Sequence, residues 1–128
     1  MSSSSNTVFS PNTSSDTQNP LIVVSSYTEF DNLAHGPKGT EATAAIWTFR
    51  LDSSSGRLVL ISVNEEPIIN PAFSRLHPNH DIIYCCTESV VENGAIVAYS
   101  YNVADGTLKQ LNSTDALGTS TCYITLDK

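Results

Sequence analysis

Ala45-Ile46-Trp47-Thr48-Phe49-Arg50-Leu51-Asp52, followed by a turn ending at Gly56 and then Arg57-Leu58, matches a later stretch of the same chain. It lies over Ala95-Ile96-Val97-Ala98-Tyr99-Ser100-Tyr101-Asn102, whose turn ends at Gly106 before Thr107-Leu108, at a constant offset of 50. The same offset carries Pro71-Ala72-Phe73-Ser74-Arg75-Leu76 onto Thr121-Cys122-Tyr123-Ile124-Thr125-Leu126 without a gap, apolar on apolar at Phe73/Tyr123 and Leu76/Leu126. Self-similarity at a fixed period is the mark of stacked supersecondary units. Further upstream, Val23-Val24-Ser25-Ser26-Tyr27-Thr28-Glu29 lies over Ile82-Ile83-Tyr84-Cys85-Cys86-Thr87-Glu88 at an offset of 59, so the first copy carries about nine extra residues, roughly Phe30 to Thr43. Insertions in repeats go to loops on one face, and a protruding loop is expected there.

Within each copy the residues are short runs of β-branched and aromatic side chains, bounded by Gly, Pro, Asn, Asp or Ser. In the second copy the runs are Ala72 to Leu76, Asp81 to Thr87, Ala95 to Asn102 and Leu108 to Leu111. His77-Pro78-Asn79-His80 and Val103-Ala104-Asp105-Gly106 supply turns between them, as Ser53-Ser54-Ser55-Gly56 does in the first copy. No window long enough for a helix keeps the 3.6-residue period. Four antiparallel strands per unit of about 40 to 50 residues is the blade of a β-propeller. The expected fold is therefore all-β: about two blades of a larger, incomplete ring. Residues 1–20, dominated by Ser, Thr and Asn, are expected to form a disordered tail. Blade one is expected to start at its second strand and span 21–63, blade two to span 70–111, and the first strand of blade three to occupy 121–127. Such a piece leaves open strand edges through which it would self-associate, and the missing inner strand of blade one would come from a distant segment.

Composition narrows the functional classes. Hydrophobic residues make up 40% and charged residues 15%, enough apolar material for a packed core. Six Lys and Arg against thirteen Asp and Glu leave a formal charge of −7, a field that repels nucleic acid and anionic membrane surfaces, so neither is expected as a partner. No apolar run reaches the length that spans a bilayer, and Met1 to Pro20 lacks the pattern of a secretory signal; the default expectation is a cytoplasmic protein. Cys85, Cys86 and Cys122 are an odd number without C-x-x-C spacing, and adjacent Cys85 and Cys86 in an apolar run read as small buried hydrophobes.

The aligned segments also resemble a known family. Val24-Ser25-Ser26-Tyr27-Thr28, Asn70-Pro71-Ala72-Phe73 with His77-Pro78-Asn79, and Ile83-Tyr84-Cys85-Cys86-Thr87-Glu88 carry the first part of the likeness. Gly94-Ala95-Ile96-Val97-Ala98-Tyr99-Ser100-Tyr101 with Asp105-Gly106-Thr107-Leu108, and Thr121-Cys122-Tyr123-Ile124-Thr125-Leu126-Asp127, carry the rest. In order and spacing they are similar to the N-terminal third of the seven-bladed lactonase family, which includes 6-phosphogluconolactonase and carboxy-cis,cis-muconate cyclase. The resemblance implies that the parent hydrolyses a sugar lactone, 6-phosphogluconolactone in the pentose phosphate pathway, without a cofactor. A muconate-cyclase-type lyase and a non-catalytic propeller scaffold for protein binding are the alternatives. It also implies a site over the central channel built from a His, two Arg and a Glu of middle and later blades, so no catalytic residue is assigned within this chain.

Three residues are candidates for lining that channel: Glu88, Tyr123 and Asn70. Glu88 holds the place at the end of a second strand where a later family blade carries its acidic residue, while the Arg that precedes it there by sixteen positions is replaced by Ala72. Tyr123 stands where relatives often have His after Cys. The remaining chemistry reads as structural. Arg50, Arg57 and Arg75 are expected as strand or hairpin surface charges, and Glu65-Glu66 as a solvated acidic loop. Trp47 and Phe49 alternate within a strand and are expected in the packed core between sheets. His77 and His80 are three apart, but Pro78-Asn79 makes that segment a turn, and no metal site is expected.

Overall fold

The strands of the computed structural model, which describes residues 19–127, fall into two antiparallel sheets. The first contains β1 (Leu21–Ser25), β2 (Ile46–Asp52) and β3 (Arg57–Val63) in the order β1-β2-β3; the second contains β4 (Pro71–Leu76), β5 (Ile82–Thr87), β6 (Ala95–Tyr101) and β7 (Leu108–Asp115) in the order β4-β5-β6-β7. Both orders are simple meanders, as expected of sequential runs joined by short turns. The expected tail lies outside the described residues except for its last two positions. The outer strand of the second sheet runs past Leu111 to Asp115. No strand forms across 121–127.

The backbone repeats at the interval read from the sequence. β2 and β3 shift register between Thr48 and Phe49, and β6 and β7 between Ala98 and Tyr99, fifty residues on. Gly56 and Gly106 both have φ +74°, and their amides donate to Asp52 O at 2.8 Å and Asn102 O at 2.7 Å. Asn70 and Ser120 are both left-handed, at φ 48° and 58°. Each hairpin is closed by its leading side chain. Asp52 Oδ1 accepts from Ser54 N, as Asn102 Oδ1 does from Ala104 N. The Ser54 and Ser55 hydroxyls add to this at Asp52 and hold its carboxyl down to about 2.

The upstream interval differs from the expected 59. Leu21 lies opposite Arg50 and Ile82 opposite Ser100, which places β1 and β5 in equivalent registers at an offset of 61. A shift of two residues keeps every side chain on its original face, so alternation alone does not distinguish the two alignments. The intervening loop also does more than protrude. A short 3-10 turn at Phe30–Asn32 precedes buried Leu33, and Asn32 O accepts from Val90 N of the second sheet's β5–β6 loop at 2.8 Å.

The core is the layer between the sheets. Ala45 and Ile46 of the first meet Ile83, Cys85, Val97 and Tyr99 of the second, with Val23, Ile68 and Leu108 packed around them. Gly106 brings the second hairpin against the first sheet so closely that an added Cβ would lie 2.7 Å from Ile61 Cδ1 and 2.8 Å from Thr48 Cγ2. Arg50 fastens the same corner, donating to Val103 O at 2.7 Å and Ala104 O at 3.1 Å. It is therefore an inter-sheet tie rather than the simple surface charge expected. Trp47 and Phe49 also depart from expectation. Ile46 and Thr48 are buried against the second sheet, so by alternation Trp47 and Phe49 lie on the first sheet's opposite face, which the second sheet does not cover.

Candidate functional site

Asn70 and Glu88 come together where β4 begins and β5 ends, beside the segment that leaves β1. Asn70 is fully buried, and a left-handed backbone that Asn tolerates better than most residues turns its side chain toward the first repeat. Its Oδ1 accepts from Thr28 N and Glu29 N, both at 2.8 Å, and its Nδ2 donates to Glu29 O at 2.7 Å. Its own amide donates to Thr28 Oγ1 at 3.2 Å, and its carbonyl accepts from Glu88 N at 2.9 Å. One side chain thus satisfies three backbone groups of a neighbouring blade.

Glu88, 9% exposed, sits on the same seam, and its Oε2 accepts from Tyr27 Oη at 2.7 Å. Burial, then the hydrogen bond and charge of Glu88, push the Tyr27 phenol up to about 12. At neutral pH it is a proton donor locked onto the carboxyl group. The pair presents a polar, partly desolvated junction, with one Glu88 oxygen committed to Tyr27. Tyr27 was not singled out from the sequence. The contact joins residues 61 apart, and no local pattern signals it.

Tyr123 occupies a separate cluster. It is 60% exposed, its ring is 4.6 Å from that of Phe73, and its Oη accepts from Arg75 Nη2 at 2.7 Å. The Arg75 guanidinium lies 5.3 Å from the Phe73 centroid and 5.6 Å from that of Tyr123, cation over aromatic face. Its Nε is buried without a hydrogen-bond partner among the described residues. Arg75 is therefore an anchored cation on the edge strand β4, not a free surface charge.

The other candidates fall as follows. The His77 and His80 rings lie 4.6 Å apart at a tilt of 42°, and His77 Nδ1 accepts from Asn79 N, so one imidazole nitrogen closes the turn. Among the described residues, no group of three or more His, Cys, Asp or Glu side chains could hold a metal. Cys85 and Cys86 are buried and Cys122 is exposed; burial raises the pKa of both Cys85 and Cys86. Glu66 Oε2 accepts from Gln110 N at 3.1 Å, so this residue bridges to β7, while Glu65 is exposed. No described helix is long and apolar enough to cross a membrane.

Comparison with known proteins places these features. Residues 21–128 match the family model for the seven-bladed β-propeller lactonases. A curated relative from Formosa agariphila, named 6-phosphogluconolactonase, is 33% identical over 84 residues, covering 65% of this chain and 24% of its own length. A crystal structure from Bacteroides fragilis, described as a candidate 6-phosphogluconolactonase, superposes with a TM-score of 0.69 at 22% identity, over 86% of this chain and 27% of that one. A second, from Bacteroides uniformis and described in the same terms, gives 0.70 at 19% identity, over 86% and 28%. The chain spans about a quarter of the length of these relatives.

Proposed function

Because the chain belongs to the seven-bladed β-propeller lactonase family, we propose that it forms the two-blade part of a lactone hydrolase acting on 6-phosphogluconolactone. The observation that carries this reading is the family match across the whole repeat region, reinforced by a relative that bears that name. Hydrolysis of a phosphorylated lactone needs a base for water, donors for the developing oxyanion and cations for the phosphate. The described residues supply fragments of such a set without assembling it. Glu88 is tied to Tyr27, and Arg75 is held in a different cluster with Tyr123. The chemistry is accordingly assigned to other blades, and Glu88, Asn70 and Tyr123 to the wall of the central channel. There Asn70 fixes the path of the backbone and Glu88 supplies polarity. The setting is the cytoplasm and the pentose phosphate pathway, with no cofactor.

A second reading is favoured by one observation: Asn70, Glu88 and Arg50 direct their hydrogen bonds to groups of the opposite repeat, as residues of a pure scaffold would. One experiment separates the two. Residues 21–128 are grafted in place of the equivalent blades of the Formosa agariphila relative, and 6-phosphogluconolactone hydrolysis is measured for the relative, the graft and the isolated chain. The enzyme reading expects a graft that melts cooperatively and hydrolyses the lactone, with no turnover above the spontaneous rate from the isolated chain. A well-folded but inactive graft would favour the scaffold, and turnover by the isolated chain would refute the assignment of the chemistry to other blades.

A further inference from the structure

Cys85 and Cys86 are neighbours in β5, and successive residues of a strand face opposite ways. Cys85 belongs to the core between the sheets, where Ser74 Oγ lies 3.0 Å from its Sγ. Cys86 is therefore on the face of the second sheet that looks away from the first, opposite Phe73 of β4 in the strand register. It is fully buried nonetheless, and the chain that follows β7 folds back onto the same end of the sheet. Ala116 N donates to Gly94 O at 2.9 Å, Gly94 N to Gly118 O at 2.9 Å and Ser120 N to Ser89 O at 2.7 Å. These bonds lead to Thr121, whose Oγ1 converges with the Thr87 carbonyl on Gly94: a Cβ there would lie 2.6 Å from the one and 2.4 Å from the other. Two positions on, the Tyr123 ring packs 4.6 Å from that of Phe73. Thr87 adjoins Cys86 along β5 and Phe73 faces it across from β4, so the residue between Thr121 and Tyr123 is held beside Cys86. That residue is Cys122.

The repeat arrives at the same pair independently. The first seam is made by β4 packing against β1, with Ala72 near the start of β4 and Ser25 at the end of β1. The strand registers carry Ser25 onto Cys86 at the offset of 61, and the interval of fifty carries Ala72 onto Cys122. A thiol thus stands on each side of the second seam, where the first has a hydroxyl and a methyl group. Burial raises the pKa of the Cys86 thiol, and the charge of Cys122 adds to the rise, as expected of groups that lie close together.

We propose that Cys86 and Cys122 are a modification site, joined by a peroxide into a reversible disulfide that staples the segment after β7 to the second sheet. Cys122, the exposed member, reacts first: its thiolate attacks one oxygen of hydrogen peroxide, the O–O bond breaks, and the departing hydroxide takes up the thiol proton as water. Cys122 is then a sulfenic acid. The Cys86 sulfur forms the S–S bond at Cys122 and displaces hydroxide, which leaves as a second water with the Cys86 proton. The two thiols give up two electrons and the peroxide takes them. Cys85, turned to the opposite face, is left out. A dithiol reductant restores both thiols by exchange. The bond closes a loop in the unfolded chain, so the oxidised fold is the more stable one.

The test treats the 128-residue chain with hydrogen peroxide and maps it with trypsin without reduction. Cleavage after Arg75 and Lys109 separates residues 76–109, which hold Cys85 and Cys86, from residues 110–128, which hold Cys122. The two peptides are expected to be joined in a monomeric chain. Cys85→Ala should leave that link in place, while Cys86→Ala and Cys122→Ser should each abolish it. A thiol reagent should label no cysteine of the folded, oxidised chain and only Cys85 after denaturation. The melting temperature should rise on oxidation and fall back with dithiothreitol, and Cys122→Ser should show neither change. That variant alters an exposed position, so the comparison holds even if Cys86→Ala fails to fold. A bridge between Cys85 and Cys86 inside residues 76–109 overturns the proposal, as does a link that disappears in Cys85→Ala. Bridges formed only between molecules, or three thiols that survive a peroxide dose that oxidises glutathione, overturn it equally.

Discussion

At the level of single residues, the environments of the thiols and phenols make direct predictions. Cys122 is exposed and Cys85 and Cys86 are buried, so a thiol reagent at mild alkaline pH should label one cysteine in the folded chain and three after denaturation. Three rapid reactions in the folded state would show the β5 face to be open. The Tyr27 and Tyr99 phenols are both pushed up to about 12, in each case chiefly by burial. A folded value above the ordinary one means that their contribution to stability is whole below about pH 10 and is lost as pH climbs toward 12. An absorbance titration of tyrosinate should therefore show a late component that unfolds the chain as it ionises, and Tyr27→Phe should remove part of it. Titration of all five tyrosines together at their ordinary value would contradict this. The equivalent glycines separate two causes of strain. Gly56 has open space around it, so Gly56→Ala should cost about 1 to 2 kcal/mol for the left-handed backbone alone. Gly106→Ala adds a collision with Ile61 and Thr48 and should cost about 2 to 4 kcal/mol in urea unfolding.

Among the elements, the strands and hairpins were legible because their signals are local. β-branched runs, a leading Asp or Asn and a closing Gly fix each hairpin without reference to anything distant, and the same devices recur at Asp52 to Gly56 and Asn102 to Gly106. The upstream alignment was misplaced by two residues because a period-two pattern is unchanged by such a shift; only the pairing of Leu21 with Arg50 resolves it. The candidate site was legible in part. Asn70 and Glu88 were visible as positions, but the Tyr27 bond and the Phe73–Arg75–Tyr123 stack join residues far apart in the chain and leave no local trace. Asn70 offers a check on how the two repeats are joined. Asn70→Ala removes the partner of three backbone groups and puts a residue less tolerant than Asn in left-handed geometry, for an expected loss of about 2 to 4 kcal/mol. Asn70→Gly keeps the backbone free and should recover about 1 kcal/mol of that loss. Equal losses would assign the whole effect to the hydrogen bonds.

For the molecule as a whole, the interval of fifty residues becomes a stacking operation: the face of the second sheet that carries Tyr99 and Val97 rests on the first, while the corresponding face of the first, with Trp47 and Phe49, is turned away from the second. Ile46 is fully buried in the layer between the two sheets, and Ile46→Ala should lower stability by about 2 to 5 kcal/mol. The same arrangement explains why the chain superposes on about a quarter of two larger chains. The stacking itself is most directly tested by methyl-labelled nuclear magnetic resonance. Nuclear Overhauser effects are predicted from the Ile61 δ1 and Thr48 γ2 methyls to the Gly106 α protons, and from Ile46 to the Tyr99 ring. A folded chain that lacks these contacts would contradict the account.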